Sequence, residues 1–134
     1  MPLAKALGLE VYRVSDWPND LSGMIKRNAD GDYEIQVNSA HPESRRRFTI
    51  AHEIGHFVLH KDLIGDGIAD DGLYRSGLSG SIEQEANQFA ADLLMPWHLM
   101  NVAMTKGYKD IATLAKAFQV SKYAMSIRLG VPFE

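Results

Sequence analysis

The chain contains no cysteine. That excludes disulfides, a thiol nucleophile and any thiolate metal site, so metal chemistry here has to draw on imidazole and carboxylate. No uninterrupted apolar run approaches the roughly 20 residues that a membrane-spanning helix needs. Residues 1–10 lack a basic segment leading into a long apolar run and a small-residue cleavage site, so no signal peptide is expected and a cytoplasmic location is. A large excess of one charge is missing too, and a formal net charge of −3 argues against a molecule that coats nucleic acid. There is neither an internal repeat nor a low-complexity tract. What remains is ordinary globular composition, 46% hydrophobic and 23% charged over 134 residues. That suits one domain, residues 1–134, with little room for a second core.

The first quarter reads as a small antiparallel β-sheet. Residues 9–14 are rich in β-formers, and residues 21–27 and 33–37 flank a turn in which Asp30-Gly31 supplies positive-φ chemistry. Tyr33, Ile35 and Val37 alternate with Glu34 and Gln36, the pattern of a half-buried strand. Pro42 and Glu43 then suit the first turn of a helix whose apolar face (Phe48, Ala51, Ile54, Phe57, Val58) runs to about His60. Residues 61–80 hold five glycines and four aspartates and read as a loop. A second helix is expected over 81–95, stopped by Pro96, followed by two or three short helices over 97–129 with a break at Gly107.

Within the first helix lies His52-Glu53-Ile54-Gly55-His56. A four-residue spacing sets two imidazoles about 40° apart on one helical face, one turn apart along the axis, so both can reach a single zinc ion. Glu53 points to a different azimuth, from which it can take a proton from a water activated by the ion as that water attacks a carbonyl. Gly55 weakens the helix by about 1 kcal/mol, which the close approach of another backbone or of substrate would justify. A catalytic zinc also needs a third protein ligand. His60 lies a full turn beyond His56, too far along a straight helix to share the ion. The second helix offers Glu83 and Glu85. Glu83 shares a face with Ala86, Asn87 and Ala90, small or polar residues that permit close packing, and is favoured on that ground.

The stretch from Arg47 to His60, RFTIAHEIGHFVLH, resembles the active-site helix of the ImmA/IrrE-type metallopeptidases. Glu83-x-x-Ala86-Asn87-x-Phe89-Ala90-Ala91-x-Leu93-Leu94-Met95-Pro96 is similar to that family's second signature. The hairpin ending Val37-Asn38 and the late Leu114-Ala115-x-x-Phe118-x-Val120-Ser121 are also similar, so the resemblance covers nearly the whole chain. It implies an α+β, zincin-like fold: a small antiparallel sheet beside the metal helix, a second ligand helix, and C-terminal helices (residues 97–134) as a cap. It implies Zn2+ held by His52, His56 and Glu83 with Glu53 as general base, and cleavage of a helix-turn-helix repressor, with some members paired toxin–antitoxin fashion with such proteins. The rival reading is a zinc-containing module that binds an antitoxin-like partner without cutting it. The chain ends soon after the late helical stretch, so the extra C-terminal domains of longer members are not expected.

Three further features have bland readings beside functional ones. Residues 110–129 have a helix-turn-helix cadence: Ile111, Leu114, Ala115 and Phe118 make one apolar face, Gln119-Val120-Ser121 the turn with Ser121 as N-cap, and Ala124, Ile127 and Arg128 continue the second helix. Only Lys122 and Arg128 are basic in its second helix, so direct nucleic-acid binding is not expected. Arg45-Arg46-Arg47 sits where the helix dipole disfavours cations and is read as solvated or paired to acids, with substrate docking as the alternative. Met95, Met100, Met104 and Met125 read as core filler, and His41 and His98 as ordinary polar residues. Tyr74, His60, Tyr108 and His98 are candidates to stabilise an oxyanion.

Overall fold

The computed structural model describes residues 2–65, 67–71 and 80–131, the last four of the middle segment by backbone only. Its elements are α1 (Pro2–Ala6), β1 (Glu10–Val14), β2 (Leu21–Arg27), β3 (Tyr33–Asn38), α2 (Glu43–Leu59), α3 (Lys61–Ile64), β4 (Gly67–Asp71), α4 (Gly80–Leu94), α5 (Trp97–Thr105), α6 (Ile111–Phe118) and α7 (Lys122–Leu129). The result is α+β, with one four-stranded sheet ordered β1-β3-β2-β4.

The hairpin forms where the turn chemistry places it. β2 and β3 pair antiparallel from Gly23 opposite Val37 to Arg27 opposite Tyr33, and Gly31 turns the chain at φ 84°. Asn28 Oδ1 accepts from the backbone N–H groups of Asp30 and Asp32, which closes the turn. Two sheet expectations need correction. β1 runs parallel to β3, Glu10 opposite Glu34 through Val14 opposite Asn38, so the sheet is mixed rather than wholly antiparallel. A strand's residue pattern is the same in either direction, and only the path of residues 15–20 decides it. Residues 61–80 are also not simply a loop. They contain the single turn of α3 and the strand β4, which pairs antiparallel with β2 around an irregularity at Leu21/Gly23. Residues 72–79 of that segment lie outside the described residues. α1 was not expected either, and Ala4 in it is buried.

Two apolar clusters sandwich α2. Toward the sheet, Ile54 packs with Ala4, Leu9, Ile25, Ile35 and Ile64, with Phe57 and Phe89 alongside. Toward the C-terminal helices, Ala51 packs with Ala90, Leu94, Met95, Met100, Leu114 and Met125, so these methionines are core and Met104 packs against them. With both sides covered, Thr49 and every residue from Ala51 to His56 is buried. The polar residues of the motif therefore sit inside the molecule because of where the helix lies.

Gly55 is explained by that packing. A Cβ there would lie 3.2 Å from the Ala86 carbonyl oxygen and from Cβ of Phe89, so the glycine lets α4 approach α2 closely. Gly23 is tighter still. A Cβ would collide with Thr49 Cγ2 and stand 3.2 Å from the Gln36 carbonyl oxygen and 3.4 Å from Glu53 Oε2. Thr49 is β-branched and buried, so it cannot swing away cheaply. Gly23→Ala is expected to destabilise the fold by about 1–3 kcal/mol in urea unfolding. An unchanged midpoint would mean that β2 and α2 are not held this closely.

The C-terminal cadence is capped at both helices, at Ser121 as expected and at Asp110 as well. Asp110 caps α6, and hydrogen bonds from Thr113, its side chain first and its backbone second, hold the Asp110 carboxyl below its ordinary value. Gln119 ends α6 in the left-handed region, and Ser121 Oγ accepts from Ala124 N at 3.0 Å to start α7. The inward face of α7 is made by Met125, Ser126 and Arg128, which are buried, whereas Ile127 is 60% exposed.

Candidate metal centre

α2 and α4 meet in antiparallel rungs. One turn back along α2, from His56 to His52, corresponds to one turn forward along α4, from Glu83 to Asn87. On the first rung His56 Nε2 lies 2.6 Å from Glu83 Oε1. On the second, the His52 Nδ1–H donates to Asn87 Oδ1 at 2.7 Å. That bond fixes the tautomer that leaves His52 Nε2 with its lone pair, and Nε2 lies 3.7 Å from Glu83 Oε1.

His52, His56 and Glu83 thus bring three ligand atoms within 4.8 Å of one another, and all three residues are buried. Tetrahedral ligands about 2.0–2.1 Å from zinc stand roughly 3.3 Å apart. The two imidazole-to-carboxylate distances, 3.7 and 2.6 Å, bracket that spacing. The Glu83 oxygens are fully buried, and neither accepts a hydrogen bond of good geometry. A carboxylate in such a place costs several kcal/mol unless a cation offsets it. Two neutral imidazoles and one carboxylate suit a divalent cation in charge and donor type, so the residues present fit a zinc ion.

Glu53 is 0% exposed and faces β2, within reach of Gly23, on the azimuth that its position beside His52 requires. Glu85, the other acid weighed for the third position, is not in the cluster. Its Oε1 receives the His60 Nε2 at 3.0 Å instead. His60 in turn places Nδ1 3.0 Å from His56 Nδ1, on the side of that ring away from Glu83. It caps α2 and does not join the three ligand atoms, as the helix geometry requires. Of the other oxyanion candidates, Tyr74 lies outside the described residues, and Tyr108 and His98 are exposed around α5.

Two contacts escaped sequence reasoning. Asn87 reads as a packing residue, although its place four residues after Glu83 on the same face is the signal that it could reach the first histidine. The His60–Glu85 contact has no such signal, since it joins the end of one helix to the side of another.

The remaining polar features are structural. Arg45 donates to Ser22 Oγ at 3.2 Å, Arg46 to the His41 carbonyl at 2.8 Å, and Arg47 to the Phe118 carbonyl at 2.8 Å. Where solvation or pairing to acids was expected, the three arginines tie α2 to hydroxyl and carbonyl oxygens among the described residues, and Arg47 meets the negative end of α6. Arg128 also turns inward. It pairs with Asp92 at 2.9 Å, donates to the Met95 carbonyl at 3.0 Å and lies over the Trp97 ring. Only Lys122 of the two cations on α7 is left outward, which removes the main support for a DNA-reading surface there. His41 is buried, with Nε2 2.7 Å from the Asn19 carbonyl, so it pins the loop before β2.

Residues 4–130 match the peptidase M78 family, described as the IrrE N-terminal-like domain. The chain is similar to the radiation response metalloprotease IrrE of Deinococcus radiodurans, 36% identical over 107 residues that make up 73% of this chain and 32% of that protein. It is 35% identical to IrrE of Deinococcus deserti over 126 residues, 84% of this chain and 44% of the relative. Against the metallopeptidase ImmA of Bacillus subtilis the identity is 25% over 127 residues, 90% of this chain and 72% of that one. The chain therefore spans less than half the length of both IrrE proteins. A solved Mycobacterium tuberculosis transcriptional regulator shares the fold, with a TM-score of 0.68 at 21% identity over 97% of this chain and 39% of that chain.

Proposed function

The chain belongs to the IrrE N-terminal-like family of peptidases, and on that footing we propose that it is a zinc-dependent endopeptidase acting on a regulatory protein, a helix-turn-helix repressor or antitoxin-like partner. The observation that carries the proposal is the buried His52–His56–Glu83 cluster, whose carboxylate accepts no hydrogen bond of good geometry, with Glu53 beside His52 on α2.

His52, His56 and Glu83 are the residues that would hold the ion. When bound, zinc supplies Lewis acidity, which makes water nucleophilic near neutral pH and polarises a carbonyl. The chain's own residues do the rest. Asn87 orients the His52 ring. Glu53 accepts the proton of the attacking water on its carboxylate and hands it to the departing amine nitrogen. Apolar packing on both sides of α2 holds the helix that carries these groups in place.

Incubation of the purified chain with a helix-turn-helix repressor and zinc is expected to give two discrete fragments. A chelator should stop the cleavage, and added zinc should restore it. A repressor left intact by fully zinc-loaded protein would favour the non-catalytic partner-binding reading.

A further inference from the structure

His60 lies outside the three ligand atoms, yet it is buried to 7% exposure and both of its ring nitrogens are engaged. Nδ1 faces His56 Nδ1 at 3.0 Å, and Nε2 faces Glu85 Oε1 at 3.0 Å. Two neutral rings carry two hydrogens for three contacts, and the His56 Nε2–Glu83 contact lacks hydrogen-bond geometry, which leaves one assignment. A carboxylate only accepts, so His60 Nε2 carries the hydrogen and Nδ1 is the acceptor. His56 Nδ1 must then donate, which leaves the lone pair of His56 on Nε2, the nitrogen 2.6 Å from Glu83 Oε1.

We propose that Glu85 and His60 form a relay that fixes the tautomer and orientation of His56, and so strengthens metal binding at His52, His56 and Glu83. The inference rests on the metal-binding reading above and adds two positioning residues to it. The two imidazoles are thereby set in different ways. His52 is held by one step, to the amide oxygen of Asn87. His56 is held by two, through a second imidazole to a carboxylate whose side chain is 63% exposed. The exposed charge stays hydrated, so the polarising group does not have to be buried. The backbone makes the first step reachable. His60 is the residue at which α2 ends, with its N–H on the His56 carbonyl and φ at −128°, so its ring departs from the helical path and returns toward His56.

Outer partners of this kind are worth about 10–100-fold in metal affinity. Zinc dissociation constants are measured on the whole chain by competition with a chromogenic chelator, for the wild type, His60→Leu and His60→Gln. His60→Leu keeps an apolar filling of similar size and removes the acceptor, and its constant is expected to rise about 10–100-fold. His60→Gln offers an amide oxygen to the His56 Nδ1–H and is expected to recover most of that loss. A packing role would give the opposite order, since leucine suits a buried site better than glutamine. Nitrogen-15 shifts of the wild-type imidazoles need no variant, and are expected to show His56 carrying its hydrogen on Nδ1. Equal zinc constants for wild type and His60→Leu, or a His56 hydrogen on Nε2, would overturn the relay while leaving the metal site standing. A wild type that takes up no zinc would overturn the metal reading itself and the relay with it.

Discussion

Glu53→Gln is expected to lower the rate of peptide hydrolysis by about 10²–10⁴-fold while leaving metal content and fold unchanged. Glutamine has nearly the shape of glutamate, and residue 53 is not among the three clustered ligand atoms, so the ion should stay. What glutamine lacks is a carboxylate to take a proton. Glu53 itself is 0% exposed between α2 and β2. The informative comparison sets cleavage against partner binding. Lost cleavage with retained binding is the expected pair. A variant that still relieves repression as the wild type does would mean that the partner is captured rather than cut.

Glu83→Ala is expected to cost the site most of its metal. Structural zinc sites in small domains are worth about 10–16 kcal/mol, so one ligand in three carries roughly 3–5 kcal/mol, more than about a hundredfold in affinity. Zinc content after purification without added metal or chelator should fall from near one per chain to a small fraction. The metal-free variant has no reason to unfold, because the substitution also removes a buried carboxylate that accepts no hydrogen bond of good geometry. Glu85→Ala is the comparison, and it is expected to weaken zinc binding by less than Glu83→Ala, since Glu85 touches His60 and acts on the cluster only through the relay. Retention of metal by Glu83→Ala together with its loss in Glu85→Ala would assign the third ligand wrongly here.

Much of this site was legible because it depends on local periodicity. A four-residue spacing on a helix dictates that His52 and His56 share a face, whatever surrounds them. Glu83 and not Glu85 joins the two histidines, on the face that packing logic favoured, since Ala86 and Ala90 mark where the second helix can approach; both are fully buried. Gly55 declared a close approach, and Ala86 and Phe89 are what approaches. The failures share a different physics. The direction of β1 depends on the path of a short connection, and nothing in Glu10–Val14 encodes it. β4 was hidden because its pairing with β2 is long-range, and glycine and aspartate are poor strand formers. Arg128 looks like a surface cation until Asp92, the Met95 carbonyl and Trp97 are seen around it. The ends of the three arginines, the Asn87 contact and the His60–Glu85 contact are likewise decided by tertiary neighbours.

The most direct test of the account is anomalous diffraction at the zinc edge from crystals of the zinc-loaded chain. The expected result is a single strong peak enclosed by the imidazoles of His52 and His56 and the carboxylate of Glu83, with Glu53 beside it and outside its coordination. A peak elsewhere, or none after zinc has been offered in excess, would contradict the metal centre and the hydrolysis built on it.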